Sequence, residues 1–242
     1  MLQVSHLTKR YGHVTALGDV SFSIQPAEVL GLIGPNGSGK TTLFECLAGV
    51  LPADGGAVSR DGHVMSPAER SRAFFYLPDG VAPWPQQTVR WALAFADGFF
   101  GAAVDAAAHR VEGPDDGGIG DLVRVFDLEP LLDSRIGELS KGQRKRVLLA
   151  IGLLTPAPIL LADEPFDGLD LKQTREIGSA LRGFASSGRT LFLSIHQISD
   201  AARWCDRFIL LSGGRVCGHG SLGEITGRTQ TDTLEDAFLA LT

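Results

Sequence analysis

Apolar and polar residues alternate around Leu2 and Val4 and again around Val20, Phe22 and Ile24, the period-two pattern of half-buried strands. Breaks at Arg10, Tyr11 and Gly12 and at Leu17, Gly18 and Asp19 divide this stretch into short strands. The pattern then changes. Val29 to Ile33 is apolar without alternation, as expected of a strand buried on both faces, and Thr41 to Leu51 follows with helical spacing. Pro52 to Gly56 ends that helix before a short strand around Val58 and a turn at Asp61 and Gly62. Phe74 to Leu77 predicts another strand. A proline-rich passage from Pro78 to Pro85 leads into small apolar residues at helical spacing from Thr88 to Phe126, interrupted by Gly113 to Gly118, which reads as a helical insertion. Ile159 to Ala162 and Thr190 to Ile195 are again continuous apolar runs. The remainder predicts a helix near Ser199 to Trp204, a strand from Arg207 to Leu211, a Gly213-Gly214 turn and a short strand to Cys217. Ser221 with Glu224 forms a capping-box pattern, and Thr233 opens a last helix whose Leu234, Ala237, Phe238 and Leu241 share one face.

A chain of 242 residues with strands and helices interleaved in this way suits one large α/β domain carrying a subdomain. The net charge is −6 with a pI near 5.5, and no basic run exceeds Lys141 to Arg146, so no nucleic-acid partner is expected. Cys46, Cys205 and Cys217 are odd in number and lack metal-ligand spacing, which predicts reduced thiols and no disulfide framework. The first ten residues hold no apolar leader, and stretches such as Val147 to Leu154 fall short of a membrane span. A separate subunit would have to supply any membrane passage.

The chemistry begins where the Val29–Ile33 run stops. Gly34, Gly39, Lys40 and Thr41 fit the phosphate-binding pattern G-x-x-x-x-G-K-T, with Pro35, Asn36, Gly37 and Ser38 filling the loop and Thr42 following it. Glycines admit positive φ and let backbone N–H groups close around phosphate oxygens, while Lys40 offers a point charge to the β- and γ-phosphates and Thr41 a hydroxyl to Mg²⁺. A chance glycine turn would lack the apolar run before it and the helical pattern after it. A second strong stretch sets Asp163 and Glu164 at the end of the Ile159–Ala162 run. Strand ends beside such a loop are ligand sites, so Asp163 is placed to hold Mg²⁺ and Glu164 to polarise an attacking water; a polar strand cap is the bland alternative. Tyr11 is either a half-buried strand-end tyrosine or a purine-stacking ring.

Between these stretches, Leu139, Ser140, Lys141, Gly142 and Gln143 are similar to the signature Leu-Ser-Gly-Gly-Gln of ATP-binding-cassette (ABC) ATPases, with Lys141 at the third position. Ser140 is a good N-cap, and Gly142 leaves N–H groups open at a positive helix end, where a phosphate held by another subunit can bind. The resemblance covers nearly the whole chain. It implies that Tyr11 stacks on adenine, that Asp167 to Asp170 form the loop between subunits, and that His196 contacts the γ-phosphate. It also implies that Ser140, Gly142, Gln143 and Asp170 complete the ATP site of a partner cassette. One position departs: Asp79 stands where the family usually has Gln, in a loop that senses Mg²⁺ or the attacking water and touches the membrane partner. Asp79 is shorter and, ionised, only accepts hydrogen bonds; reaching Mg²⁺ through water and being a mere solvated turn residue are both compatible with Pro78-Asp79-Gly80.

The resemblance thus implies a P-loop (RecA-like) ATPase core with an N-terminal antiparallel β layer, residues 1–85 and 156–242, and a helical subdomain over 86–155 bearing the signature. ATP and Mg²⁺ are the expected ligands, and a homodimer or a pair with a close paralogue is the expected working form. A separate transmembrane permease would hold the chain on the cytoplasmic face of the cell membrane. The Leu-Glu-Asp-x-Phe-Leu pattern from Leu234 resembles the ends of single-cassette subunits paired with ABC-2-type membrane proteins, mostly exporters. The competing readings are a soluble ABC ATPase of repair or translation, which would carry long insertions or two cassettes, and a nucleotide-dependent switch that barely hydrolyses.

Overall fold

The computed structural model describes residues 1–104 and 118–242. Among the described residues there are two sheets. In the first, β1 (Leu2–Tyr11) lies between β2 (Val14–Ile24) and β4 (Gly55–Arg60), and β5 (His63–Val64) closes one edge, all pairs antiparallel. The break expected at Leu17 to Asp19 does not end β2. The strand passes through it by a shift in register between Leu7↔Val20 and Lys9↔Leu17, with Asp19 at φ 62°, so an extra residue is absorbed as a bulge.

The second sheet has strand order β10-β9-β3-β8-β7-β6, made of β3 (Val29–Ile33), β6 (Phe74–Leu77), β7 (Ile159–Asp163), β8 (Thr190–Ser194), β9 (Arg207–Ser212) and β10 (Arg215–Gly220). All neighbours are parallel except β9 and β10, a hairpin across Gly213 and Gly214. Every residue of β3, β7 and β8 is buried, which explains their unbroken apolar runs: helices and the first sheet cover both faces. On one face Leu30, Leu32 and Phe192 pack with α1 (Lys40–Ala48) and with Leu7, Leu17 and Phe22 of the antiparallel layer. Phe192 meets Phe44 and Phe22 edge-on at 5.0 and 5.7 Å. The other face, through Ile33, Leu160 and Leu193, joins a core that runs into the helices.

α1 ends three residues earlier than the sequence pattern predicts. Gly49 turns left-handed at φ 77° and its N–H closes back on the helix, while the N–H groups of Val50 and Leu51 both reach the Glu45 carbonyl outside helical geometry. α2 (Pro67–Ala73) was not expected, although Ser66 and Glu69 form a reciprocal capping box with Pro67 in the first turn.

The stretch expected to be helical holds α3 (Val89–Val104), α4 (Ile119–Val125) and α5 (Lys141–Leu154). Most of the Gly113–Gly118 interruption lies outside the described residues. Beyond β7 come α6 (Leu171–Ser186), α7 (Ile198–Trp204), α8 (Leu222–Thr229) and α9 (Leu234–Leu241), whose expected stripe is buried at Leu234 and Ala237, half-buried at Phe238 and exposed at Leu241 in its last turn. Burial pushes the Cys46 thiol up to about 11, and burial likewise raises Cys205 and Cys217. All three are free thiols. At neutral pH the folded chain should therefore react slowly with Ellman's reagent at all three positions, and denaturant should release all of them; fast labelling of the native chain would contradict this packing.

Candidate functional site

The loop from Gly34 to Gly39 joins the C-terminal end of β3 to α1, in the middle of the parallel sheet. Gly37 and Gly39 take φ of 79° and 104°, and a Cβ on Gly39 would meet the Ala16 carbonyl oxygen at 2.6 Å. Only glycine fits there. Gly39 is the N-cap of α1 and offers no side-chain cap, so the first-turn N–H groups of Lys40, Thr41 and Thr42 face outward without an intrahelical partner. The buried Ser38 Oγ also has no partner. Pro35 and Asn36 are exposed at the tip. Uncapped helix, orphaned hydroxyl and glycine turn together fit a polyphosphate anion.

Lys40 points back over the loop, its Nζ donating to the Gly34 carbonyl at 2.8 Å and the Pro35 carbonyl at 3.2 Å. Burial pulls its pKa down, against the opposing pull of the Glu164 and Asp163 charges. Thr41 Oγ1 donates to Asp163 Oδ2 at 2.8 Å, and Ser194 Oγ donates to the other Asp163 oxygen. A hydroxyl and a carboxylate oxygen side by side are the hard donors that suit Mg²⁺.

Glu164 leaves β7 in a left-handed conformation, φ 50°, which is costly for a residue with a side chain. Contacts on both sides hold it. Its N–H is shared between the Ser194 carbonyl at 3.1 Å and Ser194 Oγ at 3.0 Å, and its carbonyl accepts from Lys145 Nζ at 2.6 Å. The carboxylate opens on a cleft of about 260 Å³ that it shares with Asp167, Ser194 and His196. His196 is exposed just beyond the end of β8. The structure therefore brings Lys40, Thr41, Asp163, Glu164 and His196 to neighbouring strand ends. Tyr11 lies apart from them at the end of β1, 48 % exposed, with Lys9 Nζ 5.6 Å from its ring centre, so its ring is open for stacking.

Ser140 caps α5 through a full capping box: Gln143 N–H donates to Ser140 Oγ at 3.3 Å, and Ser140 N–H to Gln143 Oε1 at 2.9 Å. Gly142 is required by close approach, since a Cβ there would meet the Gly168 carbonyl oxygen at 2.5 Å. Asp170 caps α6 in the same way, with Gln173. Ser140 and Asp170 are exposed at these helix starts, Gln143 is half-buried and Gly142 is buried against the Gly168 backbone.

Asp79 is ion-paired: its Oδ1 accepts from Lys145 Nζ at 2.7 Å and its Oδ2 lies 3.5 Å from Lys141 Nζ, so it is more than a solvated turn residue. Desolvation pushes its pKa up, but the hydrogen bond and charge of Lys145 and the charge of Lys141 outweigh it and hold the acid below its ordinary value. Asp79, Glu164 and Asp167 each bring one oxygen within 4.8 Å of the others, and Lys141, which also binds Asp167, answers part of that negative charge. Lys145 and Ser194 are the site residues to which the sequence assigns no role, and Asp167 had one only as part of the loop between subunits.

A central glycine cradle with its lysine, a threonine bridged to a strand-end aspartate, and a neighbouring glutamate beside a cleft define a P-loop nucleoside-triphosphatase. The ABC transporter family model matches residues 17–167. The chain is 33 % identical over 222 residues to the Nod factor export ATP-binding protein I of Burkholderia orbicola, covering 89 % of this chain and 69 % of that one. To the protein of the same name from Ralstonia nicotianae it is 32 % identical over 241 residues, 97 % of this chain and 72 % of that one. Among solved structures, the ATP-binding subunit of an ABC transporter superposes with a TM-score of 0.84 at 28 % identity, covering 100 % of this chain and 99 % of that one. The chain belongs to the ABC transporter family, as an ATP-binding and ATP-hydrolysing cassette.

Proposed function

We propose that this cassette drives export through a separate membrane permease, with two cassettes closing on two ATP molecules and reopening after hydrolysis. Similarity along nine-tenths of the chain to export ATP-binding proteins supports the direction. Among the described residues no helix is long and apolar enough to cross a membrane, consistent with a cassette that sits peripherally on the cytoplasmic face. Residues 1–85 and 156–242 act as the nucleotide-binding lobe and 86–155 as the lobe that carries Ser140, Gly142 and Gln143 to the partner's ATP.

Adenine stacks on Tyr11, and the phosphates enter the 34–42 loop. Lys40 Nζ then exchanges loop carbonyls for phosphate oxygens, and the N–H groups at the start of α1 receive the rest of the charge. Thr41 and Asp163 would hold Mg²⁺, which neutralises charge on the phosphates. Glu164 accepts the proton of the attacking water, and His196 contacts the γ-phosphate across the cleft. Asp170 meets the partner cassette. The observation that carries the hydrolytic assignment is the Thr41–Asp163 bridge with Glu164 next in line.

The permease docks on an apolar cleft of about 500 Å³ between the lobes, lined by Phe75, Val81, Trp84, Leu148 and Ile151. Beside it Trp84, Trp91, Phe95 and Phe99 form an exposed aromatic row, with Trp91 and Phe95 stacked at 5.0 Å. Such a row is unfavourable in water unless covered. Trp91→Glu with Phe95→Glu should release the cassette from native membranes on sedimentation while leaving ATP affinity within about twofold of the parent, because neither residue touches the nucleotide site. Undiminished membrane association of that variant would remove this face from docking.

A further inference from the structure

Lys145 lies on α5, one turn beyond Lys141, in a run of basic residues that reads as a solvated helix face. It is 6 % exposed. Its ammonium has three protons and three acceptors: the Asp163 carbonyl at 2.9 Å, the Glu164 carbonyl at 2.6 Å and Asp79 Oδ1 at 2.7 Å. Two of these are the peptide oxygens on either side of the Glu164 Cα. The third belongs to the loop that leaves β6 and runs toward the helical lobe.

We propose that Lys145 is a positioning residue for Glu164, anchored by Asp79, so that the loop after β6 aims the hydrolytic carboxylate through one buried ammonium. The left-handed φ of Glu164 needs support from both of its peptide groups. Ser194 supplies it on the N–H side and Lys145 on the carbonyl side. Without Lys145 the Glu164 carbonyl keeps only the Asp167 N–H at 3.1 Å, a longer and uncharged bond, and the backbone can relax toward the favoured φ region and turn the carboxylate away. Asp79 supplies the counter-charge that lets the ammonium remain buried. Glutamine at 145 offers two protons and no charge, and arginine cannot direct three bonds at one point, so neither reproduces the clamp. The acid at 79 and the base at 145 thus act as one pair.

The inference rests on Glu164 as the hydrolytic carboxylate, and Glu164→Gln run in parallel separates the two. The purified full chain carrying Lys145→Met, Lys145→Gln, Asp79→Asn or Asp79→Asn with Lys145→Gln is assayed for ATP turnover by phosphate release, ATP affinity by calorimetry and thermal unfolding. Lys145→Met and Lys145→Gln should lower kcat at least about tenfold with ATP affinity within about twofold of the parent, since the cradle is untouched. The double variant should turn over no more slowly than Lys145→Gln alone, because Asp79 acts on Glu164 through Lys145 and keeps only the Lys141 ammonium once that base is gone. Added Mg²⁺ should rescue none of them. Parental kcat in the Lys145 variants, additive losses in the double variant, or rescue of Asp79→Asn by Mg²⁺ would each overturn the proposal, the last by placing Asp79 on the metal. If Lys145→Met does not fold, the comparison of Lys145→Gln with the double variant decides. If Glu164→Gln itself keeps parental turnover, the hydrolytic assignment fails first.

Discussion

Glu164→Gln is expected to leave ATP binding intact and to slow hydrolysis by about 10²–10⁴-fold, the usual contribution of a positioned general base. The exchange keeps size and shape. The groups that hold residue 164 in its left-handed conformation are backbone groups, the N–H on Ser194 and the carbonyl on Lys145, so the amide sits where the carboxylate did. Lys40, Thr41 and Asp163 are not disturbed, since their hydrogen bonds run through the loop carbonyls and the Asp163 carboxylate. What disappears is the ability to accept a proton from water in the cleft shared with His196. Bound ATP should then persist, and two cassettes held together by it should elute as a dimer on size exclusion. Phosphate release at the parental rate would show that another group removes the proton, and Asp167, whose side chain lines the same cleft, would be the next to test.

The parts of this site that could be read from the sequence are those whose partners lie a few residues away. The glycine loop, the Ser140–Gln143 box and the Ile159–Asp163 strand each combine a local conformation with a local donor or acceptor. α2 belongs with them: Ser66, Pro67 and Glu69 form a complete local start signal. Lys145 and Asp79 are different. In the sequence, Lys141 to Arg146 is a charge run, and charge runs are commonly solvated. The structure buries Lys145 on the Asp163 and Glu164 carbonyls and Arg146 on those of Phe126 and Asp127, acceptors that only the tertiary fold delivers. Asp79 departed visibly from the family pattern, but the compensating base sat on another element. The bulge through Asp19 was illegible for a related reason, because register is set by the neighbouring strand and not by the residue that breaks the alternation.

Lys40→Ala should abolish tight binding of ATP. Lys40 is 7 % exposed and its ammonium makes two hydrogen bonds to the loop it serves, so it is already aimed before nucleotide arrives. Charged hydrogen bonds from the ammonium to phosphate oxygens are worth roughly 1.5–3 kcal/mol each, so losing two of them corresponds to a fall in affinity of at least about a hundredfold. The loss has a second part. With Lys40 gone, the Gly34 and Pro35 carbonyls have no ammonium to gather them, and the loop that orders the N–H groups is less well held. Lys40→Arg does not repair this, because a guanidinium fork cannot concentrate its charge on the point the ammonium occupies. The defect should follow the phosphates: AMP, which relies on stacking at Tyr11, should bind the variant as it binds the parent, whereas ADP and ATP should lose progressively more in calorimetric titration. Equal losses for all three nucleotides would mean that the loop had collapsed instead of losing one charge. Unchanged ATP affinity would show that the glycine turn is not where the phosphates bind.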